Sequence, residues 1–338
     1  MIGYYVVGGV VVAGVIALIP VMYTLTTLYP YSYPNARVRA RKNKLVSDQT
    51  LQNYVQRPLE DILYTLEDEG LPELTPYLEP DVTYASIDNA LRNHFIAEIQ
   101  ELRRISPEPV KSFLKAYLEK FKVRLIKNVV RRQNTTLTET TSLLPRGLRF
   151  SIQFRELTEP TLKDLEQELT GTPYRPLLEK HLEQIREGNL YDFEHDLNIL
   201  YLERLHKQAK SENTKKYVKK HIDRLNLTAS LKNANEYAKG GRINRETLHN
   251  ATTLKEYKDA LQDAGYEIEA NTPQELETGF KHHIERFAHT LLGKQPLSDA
   301  GIVAYLILKS RNMEKLNILL KLKYHDTEPH KILDALNI

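Results

Sequence analysis

Three stretches of this chain share one plan. Each starts with an apolar anchor, runs through an acidic or polar helix-like segment and ends at a turn: Leu45–Gly70, Leu144–Tyr174 and Ile243–Tyr266. Their starts, at 45, 144 and 243, are spaced 99 residues apart. A second element recurs late in each unit, beginning at Lys122, Leu225 and Asn312. Val123, Ile126 and Val130 match Met313, Leu316 and Leu320 at i, i+3, i+7, and the middle copy carries Leu227, Leu231 and Ala234. Self-similarity at a fixed period marks a chain built from repeated supersecondary units, here three modules of roughly 100 residues each. Such an array either closes into a disc or funnel or stays open as a solenoid, and the spacing alone does not choose.

Within the modules the apolar periodicity is helical. Leu91, Phe95, Ile99 and Leu102 recur at i, i+4, i+8, i+11. Phe113, Tyr117 and Phe121 fall at i, i+4, i+8, Phe193, Leu197, Leu200 and Tyr201 at i, i+4, i+7, i+8, and Phe280, Ile284, Phe287 and Leu291 at i, i+4, i+7, i+11. Stripes of this kind predict buried helix faces. Turn punctuation falls between them at Pro72–Pro80, Pro107–Pro109, Pro173–Pro176, Gly240–Gly241 and Pro296. Leu148, Phe150, Ile152 and Phe154 alternate with polar residues at strand period, a short run that reads as an extended connector.

The N-terminus is different in kind. No Lys, Arg, Asp or Glu occurs before Arg37. As a helix, the apolar run Ile2–Tyr29 would span roughly 42 Å, beyond the ~30 Å of a bilayer core. Tyr4 and Tyr5 flank one end, and Tyr23, Tyr29, Tyr31 and Tyr33 the other. Arg37, Arg39, Arg41, Lys42 and Lys44 follow. Cations after the run, not before it, predict a retained single-pass helix in the cell membrane. The N-terminus would lie outside and the body on the cytoplasmic side. Gly9, Ala13 and Ala17, four apart, would allow close helix packing in lipid.

Composition removes several chemistries. The chain has no Cys, which excludes disulfides, thiolate catalysis and Cys-based metal sites. With 47 Lys and Arg against 44 Asp and Glu, nothing points to nucleic acid. Neither a G-x-x-x-x-G-K-[ST] nor a G-x-G-x-x-G phosphate loop is present. His282, His283 and His289 lack the i, i+4 spacing of a zinc helix. No cofactor, metal or catalytic constellation is expected.

The segment Tyr33–Ser47, YPNARVRARKNKLVS, closely resembles the opening motif of the C subunits of archaeal A-type (V/A-type) ATP synthases, a family that includes the eukaryotic V-ATPase d subunit. The match rests on Tyr33, Asn35, Ala36, Arg37, Val38, Arg39, Lys44 and Leu45. From Gly301 onward, GIVAYLILKSRNMEKLNILLKLKYHDTEPHKIL is similar to the family's closing helices. One departure is visible. The family often carries Asn just before the Leu of the late repeat helix, where Leu125 and Lys315 stand here, with Ala229 and Ser230 in the middle copy.

The resemblance implies an all-α body of three similar helical domains in a pseudo-threefold, funnel-like arrangement, preceded here by the transmembrane helix. The expected divisions are 1–34 for anchor and linker, then 35–140, 141–240 and 241–338 for the domains. It implies a non-catalytic central-stalk rotor subunit, one copy per complex. Its partners would be the D and F proteins of the shaft, the membrane proteolipid ring and, through the apolar run, the lipid bilayer. The basic run Arg37, Arg39, Arg41, Lys42 and Lys44 would face the membrane or the ring, or instead brace the first domain's helices. A membrane-tethered helical scaffold for another cytosolic protein is the other reading of these residues.

Overall fold

The computed structural model describes residues 22, 24–68, 71, 83–133, 160–234, 236–292 and 297–338. Regular structure among them is entirely helical. After the basic helix α1 (Ser32–Lys42) come two short helices, α2 (Asp48–Val55) and α3 (Leu59–Asp68), then a long pair, α4 (Tyr84–Ile105) and α5 (Glu108–Arg132). The pattern repeats with α6 (Leu162–Glu168), α7 (Arg175–Lys180) and α8 (Leu182–Arg186) before α9 (Tyr191–Gln208) and α10 (Glu212–Leu231). It repeats again with α11 (Arg245–Asn250) and α12 (Leu254–Asp263) before α13 (Pro273–Leu292) and α14 (Ala300–Tyr324). A last helix, α15 (Pro329–Leu336), ends the chain.

Many starts are written locally. Ser47, Thr83, Thr161, Ser211, Asn244 and Thr253 each accept a hydrogen bond from a first-turn amide of the helix they precede. Such caps satisfy donors that have no partner within the helix. The helical stripes read from the sequence are buried as expected, with Leu91, Phe95, Ile99 and Leu102 all at 3% exposure or less.

The three long pairs pack in a cycle. α5 packs on α9, α10 packs on α13 and α14, and α14 returns to α1, α2, α3 and α4. The body is therefore closed, the choice that repeat spacing left open. Each second long helix also serves two units. The first half of α5 (Phe113, Leu114, Tyr117) joins one apolar cluster, while Val123, Ile126, Val129 and Val130 join another with Leu165, Leu178, Phe193 and Leu197 of the next unit. α10 likewise runs on to α11, and the far half of α14 meets α2 and α3. The late repeat element thus completes the core of the following unit, and for the last unit the following one is the first.

An amide clip marks two of these crossings. Asn226 Nδ2 donates to Ala238 O at 3.0 Å and Ala238 N donates back to Asn226 Oδ1 at 2.8 Å. Asn312 repeats this with Val46, at 2.7 Å to the carbonyl and 3.4 Å from the amide. Replacing Asn312 with Ala orphans both backbone groups of a buried residue and is expected to cost about 2 kcal/mol. Hydrogen exchange at the Val46 amide reads this directly; exchange as slow as in the parent would show the clip to be dispensable.

The predicted membrane span requires correction. Among the described residues no helix is long and apolar enough to cross a membrane, and this overturns the single-pass placement. The end of the apolar run is a π turn, Thr24–Leu28, followed by a 3₁₀ turn, Tyr29–Tyr31, holding Pro30. The helix that follows, α1, is too short and too cationic to span. Most of the apolar run, with Gly9, Ala13 and Ala17, lies outside the described residues, as do Pro72–Pro80, Leu144 and the alternating run 148–155.

Candidate functional site

α1 carries the basic run up to Lys42, with Lys44 in the turn that follows, and the five cations differ in what they meet. Arg37 and Arg41, one turn apart, both reach Glu101 of α4. Arg37 Nη2 lies 2.7 Å from the carboxylate, and Arg41 Nε stands 3.8 Å from Glu98. Burial works against the charge on Glu101, but hydrogen bonds from Arg37 and Arg41 outweigh it and hold the carboxyl below its ordinary range. Arg39, Lys42 and Lys44 are exposed and form no ion pair among the described residues. Two of the five cations therefore brace the first unit, and three are presented to solvent.

Asn35 of the Asn-Ala-Arg motif is 4% exposed. Its Nδ2 donates to Tyr31 O at 2.9 Å and to Ser298 O at 2.8 Å, pinning the N-terminal turn to the start of α14. Gly301 allows this approach, because a Cβ there would collide with Asn35 Oδ1. Beside it, Asp299 accepts from Ser211 Oγ and from Asn213 Nδ2 (2.9 Å) at the start of α10.

Four residues before each matched apolar position (Val123, Leu227, Met313) stands a charged side chain: Glu119, Asp223 and Lys309. Glu119 accepts from Tyr174 Oη at 2.6 Å and from Arg204 at 3.2 Å. Asp223, fully buried, accepts from Arg242 N (2.8 Å), Ile243 N (3.0 Å) and Tyr266 Oη (2.5 Å). At the third junction the sign is reversed. Lys309 Nζ lies 3.2 Å from Glu98 Oε2 and 3.3 Å from His94 Nε2, and Tyr305 Oη donates to Glu98 Oε1 at 3.0 Å. Farther along α14, Lys315 pairs with Asp48 at 2.5 Å. Burial, then the neighbouring carboxylate, pushes the phenols of Tyr174, Tyr266 and Tyr305 up, so all three remain donors at neutral pH. Burial would also raise the Glu98 carboxyl; His94 and Lys309 outweigh it and bring it down to about 2.

The described residues hold no group of three His, Asp or Glu arranged to bind a metal. His282 sits 3.3 Å from Glu285, while His283 accepts from Lys220 at 2.7 Å. Burial, then Lys220, pushes the His283 ring down to about 4. These contacts tie helices of neighbouring units together. Sequence reasoning missed Asp223, Glu98 and Lys309. It also sought the late-helix Asn at Leu125, Lys315 and Ala229–Ser230, whereas Asn226 and Asn312 stand one residue before Leu227 and Met313. Aligning the copies on those apolar positions would have found them.

Comparison with known proteins places these features in a family context. The family model described as the ATP synthase (C/AC39) subunit matches residues 34–335. The C subunit of the A-type ATP synthase of Pyrococcus horikoshii is 26% identical over 336 residues, covering 91% of this chain and 90% of that protein. Its counterpart in Pyrococcus furiosus is 27% identical over 336 residues, covering 90% and 89%. That of Methanocaldococcus jannaschii is 27% identical over 354 residues, covering 91% and 86%.

Proposed function

Since the chain belongs to the ATP synthase (C/AC39) subunit family, matched across residues 34–335, we propose that it is the non-catalytic central-stalk coupler of an A-type ATP synthase. In this reading one copy per complex joins the D and F shaft to the membrane proteolipid ring and passes torque between them. The observation that supports it most is the cyclic closure. A torque-bearing part must resist shear between its units, and here every unit boundary is crossed by a continuous long helix or sealed by buried charge and an amide clip. The domains 35–140, 141–240 and 241–338 form the three load-bearing units, each lending its last long helix to the next.

Arg39 and Lys42, exposed on α1, and Lys44 just after it are assigned to the contact with the proteolipid ring; Arg37 and Arg41 hold α1 in place. The test is a mild-detergent pull-down through a tag on a flexible linker after Ile338, followed by native mass spectrometry. A single copy carrying the proteolipid ring together with shaft or catalytic subunits is the expected result. A monomer, or an unrelated partner, from cells with an intact ATP synthase would overturn the assignment. Reversing the three exposed cations (Arg39→Glu, Lys42→Glu, Lys44→Glu) is expected to reduce recovered ring at least fivefold and leave D and F bound. Equal loss of both, or of neither, would remove these residues from the ring contact.

A further inference from the structure

The closing junction holds a cleft of about 410 Å³ between α4, α5 and α14. Leu91, Phe95, Phe121 and Met313 supply apolar wall, and Lys120 and Arg124 supply charge. Its volume lies within the range of small-molecule sites, and Asp88, Arg92, Ser310, Glu314 and Asn317 complete a wall that mixes apolar and charged groups.

Lys120 is the unusual member. Its Nζ stands 4.7, 4.1 and 4.9 Å from the ring centroids of Phe95, Tyr117 and Phe121. It donates to Tyr117 Oη at 2.6 Å and to Ser310 Oγ at 3.3 Å. An ammonium has three N–H donors, and among the described residues no carboxylate lies within ion-pair distance of this one. Arg124 and Arg92 both pair with Asp88, at 3.0 Å from Arg124. Glu314, at the rim, pairs with Arg311 at 3.1 Å. Lys120 therefore presents a cation with no carboxylate partner among the described residues, beside aromatic and aliphatic wall.

We propose that this cleft binds a small amphipathic carboxylate, its anion on Lys120 and Arg124 and its apolar group against Phe95, Phe121 and Met313. Because the wall comes from α4 and α5 on one side and α14 on the other, occupancy ties the last long pair to the first. The site stabilises the closed ring by mass action, since only the closed form assembles it. The proposal is independent of the coupling role.

The probe is 3-phenylpropionate, and the reporter is already in the chain. Methionine occurs only at positions 1, 22 and 313, so methyl-labelled protein gives a simple spectrum in which Met313 reads the cleft. Titration is expected to shift the Met313 methyl saturably, with Kd on the order of 1 mM for a ligand of this size. Neutral 3-phenylpropionamide should bind at least tenfold more weakly. Lys120→Gln should weaken the carboxylate at least tenfold, and Arg124→Gln severalfold. Arg124 is about half exposed, so its variant tests the site even if Lys120→Gln does not fold. An unmoved Met313 methyl at saturating probe would overturn the proposal. So would equal binding of the amide, or Arg124→Gln binding as the parent does.

Discussion

Replacing Asp223 with Ala is expected to cost about 5 kcal/mol, because three donors lose one buried acceptor and hydrogen bonds to a charged group contribute roughly 1.5–3 kcal/mol each. Arg242 N, Ile243 N and Tyr266 Oη would all face an apolar methyl in a site with no solvent exposure. With an unfolding entropy of roughly 2 cal/mol/K per residue, the melting midpoint falls on the order of 7 °C if the ring melts as one unit. Hydrogen exchange should localise the damage to residues 238–266. Gly241→Ala should mimic it, since a Cβ at Gly241 would collide with Asp223 Oδ1. A midpoint within 1–2 °C of the parent would show that the three donors find other partners at little cost.

The second large effect is expected at the closing junction. Glu98→Gln removes the carboxylate facing Lys309, a side chain only 6% exposed. Breaking one member of a buried ion pair costs on the order of 3–5 kcal/mol. Adding Lys309→Met should recover part of the loss, because it removes the buried ammonium that the Glu98 carboxylate had offset. Urea midpoints of the four proteins give the coupling; strict additivity would show that Glu98 and Lys309 do not act on each other. The pH dependence follows from the depressed carboxyl. Glu98 sits at about 2 against an ordinary value of 4.5. Its stabilisation is complete above about pH 4.5 and is lost as the pH falls toward 2, up to about 3 kcal/mol in all. Glu98→Gln should therefore flatten the acid limb of the stability profile.

The helices themselves were legible from pattern. The stripe from Leu91 to Leu102 and that from Phe113 to Phe121 are buried, and Gly240–Gly241 is a turn with Gly240 at φ +96°. The opening motif pointed to the right family, which the match across 34–335 shows. What Asn35 does was not legible, because its acceptor at Ser298 is 263 residues away. Nor did the basic run reveal that Arg37 and Arg41 face Glu101 while Arg39, Lys42 and Lys44 do not. The spanning helix was expected because hydropathy counts apolar residues without regard to backbone geometry. The π and 3₁₀ turns from Thr24 to Tyr31 are a backbone outcome that composition does not announce.

By itself the sequence determined that the body is helical, which faces the striped helices bury and which family the chain resembles. These follow from 3.6-residue periodicity, caps and turn residues, all of them interactions within a few positions of each other. Only the tertiary structure decided what each buried face meets. Periodicity orients a stripe toward a core but does not say whose core. The last long helix completes the first unit because the ring closes there, and Lys309 stands where the other copies carry an acid because its partner is Glu98.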